Sequence, residues 1–227
     1  DLQSEIRDLV QVHNDLFVVA DGLDDDDDVG LLKLSDYAAI GINNLLSSDD
    51  AALAQSLLNS VVDRRTSSQI DESGELQAIV DAVIAVRATV VGGVDAVLAV
   101  TPAQLALLGI DTVGAAELAS VQTILKRDGA SSFNNLADLT DLEALVVKTI
   151  SALNMLSAHS TLAVDPANNP DETTYADAGV VGVSADNLLA VNAQLRLEAD
   201  QANKDSLSEI QGLVAAGNDA LAYIVND

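Results

Sequence analysis

The chain repeats itself at a long, nearly fixed period, and nothing else in it limits the fold so strongly. With Gly41 of Tyr37-Ala38-Ala39-Ile40-Gly41-Ile42 as reference, the pattern returns 68 residues on (41 to 109) as Leu105-Ala106-Leu107-Leu108-Gly109-Ile110. A further 70 residues (109 to 179) bring Tyr175-Ala176-Asp177-Ala178-Gly179-Val180. Apolar residues follow each glycine in register: Leu45, Val113 and Val183 at four, Leu53, Val121 and Val191 at twelve, Leu57, Leu125 and Leu195 at sixteen. Another block occurs four times, as Glu5-Ile6-Arg7-Asp8-Leu9-Val10, Glu75-Leu76-Gln77-Ala78-Ile79-Val80, Asp141-Leu142-Glu143-Ala144-Leu145-Val146 and Glu209-Ile210-Gln211-Gly212-Leu213-Val214. A period of this length marks stacked supersecondary units, and it turns the functional expectation from a single active site toward a spacer or scaffold.

The residues inside the period are helical material. Apolar residues make up 49% of the 227 but aromatics only 2%, so the cores must be built from Leu, Val, Ile and Ala. Sheet proteins of this size carry more aromatic residues and Thr. The last block is the clearest helix, here helix C: Ile6, Leu9, Val10, His13 and Phe17 fall on one apolar stripe at helical spacing. An acidic residue opens each copy, at the positive end of the helix dipole. The glycine block reads as a short helix A. In its second copy Thr101 is an N-cap ahead of Pro102 at the first helical position, and Gly109 closes the far end in a left-handed conformation. The Ile or Val after the glycine should tuck into the core. Helix B follows, opened in the third copy by Ser184-Ala185-Asp186-Asn187.

From the glycine to the first core residue of helix C the distance is elastic, 35, 33 and 31 residues (41 to 76, 109 to 142, 179 to 210), which places the variation in polar loops between B and C at 64–74, 128–138 and 200–206. The links from C to the next A differ more. Residues 21–33 hold six Asp and 160–174 hold two Pro, so both read as hinges, while the apolar link 92–101 reads as nearly continuous helix. The fold expected is all-α: an elongated tandem array of three-helix bundles, each with its own interior. Residues 1–22 form the final helix of a preceding repeat, and the three bundles cover 23–97, 98–164 and 165–227.

Charge narrows the function. Asp and Glu number 36 against 10 Lys and Arg, a net charge of −26. Such a field repels phosphate backbones and anionic membrane surfaces, so nucleic acid is excluded as a partner. No segment has the uninterrupted apolar length of a membrane span. The absence of cysteine removes disulfides, thiolate metal sites and Cys nucleophiles. Asp24, Asp25, Asp26, Asp27 and Asp28 offer hard oxygens for calcium, but Val29 intervenes before Gly30 and Ser35 stands where a loop-closing Glu belongs. A solvated, self-repelling linker is the expected role. The run Asp165-Pro166-Ala167-Asn168-Asn169-Pro170-Asp171-Glu172 offers oxygens without ligand spacing. His13 and His159 stand alone, and His13, on the stripe of helix C, reads as a packed core residue. Tyr37 and Tyr175 share one repeat position with Leu105 and read as core. No phosphate loop, nucleophile elbow or dinucleotide fingerprint is present. No catalytic, metal or cofactor-binding residue is expected, nor any cofactor.

The run Thr174-Tyr175-Ala176-Asp177-Ala178-Gly179-Val180-Val181-Gly182-Val183-Ser184-Ala185-Asp186-Asn187-Leu188-Leu189-Ala190-Val191-Asn192-Ala193-Gln194-Leu195 resembles helical repeats in giant bacterial surface adhesins of the biofilm-associated or RTX type. The resemblance weakens over residues 101–125 and is faint in the first unit. It implies an extracellular location at the bacterial surface and a role in extension or attachment, with neighbouring repeats of the same polypeptide as partners. A binding module for a host or matrix protein is the alternative. It carries no catalytic or ligand residue.

Overall fold

The computed structural model describes residues 2–23, 32–43, 51–91, 99–131, 136, 138–159 and 169–226. The fold is all-α, with no strand among the described residues. The helices are α1 (Leu2–Val19), α2 (Leu34–Ala39), α3 (Ala51–Asp63), α4 (Ser73–Val91), α5 (Pro102–Leu107), α6 (Ala115–Ser131), α7 (Leu139–Ala158), α8 (Glu172–Asp177), α9 (Leu188–Leu197) and α10 (Leu207–Asn226). Helix A is thus α2, α5 and α8; helix B is α3, α6 and α9; helix C is α1, α4, α7 and α10. The described chain divides into two compact units, residues 1–111 with 126–143 and residues 112–125 with 144–227.

Six residues make less than two helical turns, too few to hold a helix by their own propensity. Helices α2, α5 and α8 are therefore held at their ends. Thr101 accepts from the Gln104 amide at 3.3 Å while Gln104 accepts from the Thr101 amide at 2.9 Å, a reciprocal cap with Pro102 just inside it. Asp171 does the same for α8, its carboxylate accepting from the Thr174 amide at 2.7 Å. At the other end Gly41, Gly109 and Gly179 have φ of 91°, 93° and 83°. The amides of Ile42, Ile110 and Val180 then reach back to the carbonyls of Tyr37, Leu105 and Tyr175 at 3.0, 2.9 and 2.9 Å. This is the six-to-one bond of a Schellman ending, and it drives Ile42, Ile110 and Val180 into the interior as expected.

The long helices carry two apolar faces in succession. In α4 the first half buries Leu76, Ile79, Val80 and Val83 and the second half Ala85, Val86 and Val90. At 3.6 residues per turn the second set lies about a quarter-turn from the first. Helix C packs on the helix B before it, α4 on α3 and α10 on α9, and on the next helix A, α1 on α2 and α4 on α5. In the second unit Ala152, Leu153 and Leu156 from the end of α7 sit in one core with Tyr175, Ala178 and Val180, Val191 and Leu195 of α9, and Ile210 and Val214 of α10. The expectation of a separate interior for each helix trio is corrected here, because the tail of one helix C completes the core of the trio that follows.

The same packing corrects the reading of α1. The helix exists, but Ile6, Leu9, Val10, His13 and Phe17 are all exposed; Leu16, Val19 and Ala20 are buried instead. Helices α2 and α3 lie on α1, and the buried residues are confined to its tail. His13 is accordingly not a core histidine: its ring tilts against Phe17 with centroids 5.9 Å apart. Residues 92–98, which hold most of the link read as nearly continuous helix, lie outside the described residues. The Val100 amide donates to Thr89 Oγ1 in the last turns of α4 at 2.7 Å, and Thr101 is extended.

Candidate functional site

The side chains with the most specific geometry form buried locks that recur at equivalent positions. In the first unit the Tyr37 hydroxyl donates to Asn59 Oδ1 at 2.7 Å, and Asn59 Nδ2 donates to the Leu32 carbonyl at 2.9 Å. In the second unit the Tyr175 hydroxyl donates to Asn192 Oδ1 at 2.6 Å, and Asn192 Nδ2 donates to the Pro170 carbonyl at 2.9 Å. Each carbonyl belongs to the residue five positions before the tyrosine, so the two arrangements are copies. All four side chains are buried, and burial holds both phenols well above the ordinary tyrosine range. Tyr37 and Tyr175 are core residues, as expected, but each also ties the end of a link to helix B.

The lock resets the alignment of helix B. Matching Asn59 with Asn192 pairs Leu58 and Val62 with Val191 and Leu195, five residues from the Leu53 and Leu57 pairing that apolar spacing suggests. The first copy therefore holds its extra residues between A and B, not between B and C. Both pairings preserve a four-residue apolar step, which is why hydrophobicity does not distinguish them.

A second lock ties helix C to the residue two past the glycine. Gln77 Oε1 accepts from the Asn43 amide at 2.8 Å and its Nε2 donates to the Asn43 carbonyl at 3.1 Å. Gln211 does the same to Val181 at 3.0 and 2.9 Å. Glu143 occupies this position in the second copy and has no amide hydrogens to donate. It accepts instead from Arg64 Nη1 at 2.7 Å, while Arg64 Nη2 donates to Thr140 Oγ1 at 2.9 Å.

The third copy holds the most unusual charged group. Lys204, fully buried, stands six residues before Ile210, where Ile70 and Leu136 stand six before Leu76 and Leu142. Its ammonium donates to the carbonyls of His159 at 2.6 Å, Glu198 at 2.8 Å and Leu195 at 3.3 Å. Three donors meet three acceptors at helix ends, where carbonyls lack intrahelical partners and the dipole favours a cation. Burial lowers the Lys204 pKa, opposed by Glu198. His159 is buried as well. Burial and the cations Arg196 and Lys204 push its pKa down, and its Nε2 has no protein partner.

This arrangement secures structure and offers little chemistry. With every ammonium proton engaged, Lys204 has no nucleophilic lone pair to present. The carboxylate of Asp171 is occupied as a cap, and the Thr174 amide and hydroxyl hold it below the usual carboxylate range. Pro170 is tied to Asn192, so this end of the acidic run is structural. No three His, Cys, Asp or Glu gather as a metal site among the described residues. Asp24 to Asp28 and Asp165 to Asn168 lie outside the described residues. An open depression of about 550 Å³ beside Arg65, Gln69, Glu72 and Leu107 has no aromatic wall and no converging acid–base pair. No described helix is long and apolar enough to cross a membrane.

Apolar periodicity gave no sign of Asn59, Asn192, Gln77 or Gln211, because it discards polar residues. The one readable signal was Lys204, a charge at a position that the other copies fill with Ile or Leu. Comparison with models of protein families, with curated proteins and with solved structures finds no match.

Proposed function

We propose that the chain is an elongated tandem array of three-helix repeats that acts as a non-catalytic extender in a bacterial cell-surface adhesin, outside the cell. The observation that carries this reading is the recurrence of one buried Tyr–Asn–carbonyl lock at Tyr37 and Tyr175. An enzyme concentrates its costly polar geometry at one place, whereas here the same lock stands in two of the three copies, with Leu105 at the tyrosine position of the other. Long helices whose tails complete the next core supply the nearest-neighbour coupling from which a one-dimensional array gains length. The charge of −26 suits a segment that must stay solvated and repel its neighbours. Small-angle scattering tests the proposal: a maximum dimension that grows in proportion to the number of repeats supports it, and a compact globule refutes it.

A binding module for a host or matrix protein, its affinity tuned by calcium, is the second reading. The strongly exposed Leu189 and Leu197 of α9 favour it. Alanine substitution there separates the two readings, since only a binding module loses a partner while keeping its melting temperature. A melting temperature equal in calcium and in chelator would leave the aspartate run as a plain linker.

A further inference from the structure

The first half of α1 exposes an apolar face that its counterparts bury. Ile6, Leu9 and Val10 are 56%, 45% and 54% exposed, while the matching Leu76, Ile79 and Val80 of α4 are 1%, 4% and 2% exposed. The same holds for Leu142 and Val146 of α7 and for Ile210 and Val214 of α10, all buried. Helices α4 and α10 lie against the helix B of their own trio, α3 and α9, and in α10 Ile210 and Val214 of this half share a core with Val191 and Leu195. The register extends through the block, with Glu5 at the place of Glu75 and Glu209, whose carboxylates accept from the amides of Glu72 and Ser206 at 3.3 and 3.1 Å. The second half of α1 is already covered, because Leu16, Val19 and Ala20 are buried. Among the described residues, what α1 lacks is therefore the A–B partner against which its first half would be buried, not the partner that follows it.

We infer that the face of Ile6, Leu9 and Val10 docks an A–B helix pair of this repeat type, supplied ahead of α1 in the same polypeptide. The identity of that occupant rests on the array reading; the need for a cover rests on the burial comparison. The pair brings a short helix ended by a left-handed glycine, the Ile or Val after it, and a helix B with a four-residue apolar step. Seated there, it makes α1 the shared helix of two consecutive trios, its tail placed as the tail of α7 is in the core with α8, α9 and α10.

Amide hydrogen exchange on two chains tests this. The first is the 227-residue chain, in which residues 2–13 should exchange quickly and 14–20 slowly at every protein concentration. Protection of 2–13 that rises with concentration would mean that a second copy covers the face, and would overturn the inference. The second chain carries residues 169–204 joined ahead of Asp1, which restores the native spacing because Asp1 matches Asp205. Exchange over 2–13 should slow by at least about tenfold, and Ile6→Asp should abolish that slowing while leaving the melting temperature of the unextended chain unchanged. Unchanged exchange in the extended chain, or an Ile6→Asp effect of equal size in both chains, overturns the docking. Scattering on the same extended chain reports separately on the spacer reading: protection without added length refutes the spacer and leaves the docking intact.

Discussion

Replacing Asn192 by Leu removes both bonds of one lock while keeping the side chain close to its original size. The Tyr175 hydroxyl and the Pro170 carbonyl, paired at 2.6 and 2.9 Å, are left in a buried site without their partner. Each stranded group costs about 1–3 kcal/mol, offset by about 1 kcal/mol from the added apolar burial, so the net loss should be about 1–5 kcal/mol. Tyr175→Phe strands only the amide oxygen of Asn192 and should cost about 1–2 kcal/mol. In the double variant the hydroxyl and the amide disappear together and only the Pro170 carbonyl stays unpaired. Its loss should fall below the sum of the singles by about 2 kcal/mol or more. Leu105, which fills the tyrosine position in the second copy, shows that the fold accommodates an apolar residue there. Denaturant unfolding followed by circular dichroism measures the four chains, and hydrogen exchange over residues 172–197 localises the change. Additive losses, within about 0.5 kcal/mol, would refute the claim that the two side chains act as a unit. The cycle on Tyr37 and Asn59 should agree in sign and to within about a factor of two.

Gly41→Ala and Gly179→Ala separate backbone strain from crowding. Both residues have positive φ, worth about 1–2 kcal/mol for any side chain, but a Cβ at Gly179 also meets the Thr123 side chain at 3.2 Å, while one at Gly41 has no neighbour within 4 Å among the described residues. Gly179→Ala should therefore lower the melting temperature more, and equal losses would assign the whole effect to φ. Between the lowered folded pKa of His159 and about 6.5 the unfolded chain binds more protons than the folded one, so acidification through that window should destabilise the protein. His159→Gln should flatten that part of the stability profile, and an unchanged slope would show that another group titrates. Gln211→Glu keeps the bond from the Val181 amide but loses the one to its carbonyl, and should cost about 0.5–1 kcal/mol by denaturant unfolding. A loss above about 2 kcal/mol would mean that the carboxylate meets repulsion as well.

Features governed by a few adjacent residues were legible in the chain itself. The short helices ending at Gly41, Gly109 and Gly179 follow from bonds that span five residues, and the long helices from apolar spacing over twelve or more. Composition was enough to fix the class, since a chain with 2% aromatics and no cysteine must pack its core mainly from helices of Leu, Val, Ile and Ala. Features that join distant residues depended on the tertiary fold. The offset of helix B needed the Tyr37–Asn59 bond, because two registers of α3 bury equally apolar sets and only a polar contact across 22 residues tells them apart. The exposure of His13 and the half-helix around it depended on which neighbours pack against α1, and a stripe at helical spacing carries no record of its cover. Hydrophobic periodicity names the side of a helix that seeks burial; only the fold decides what buries it.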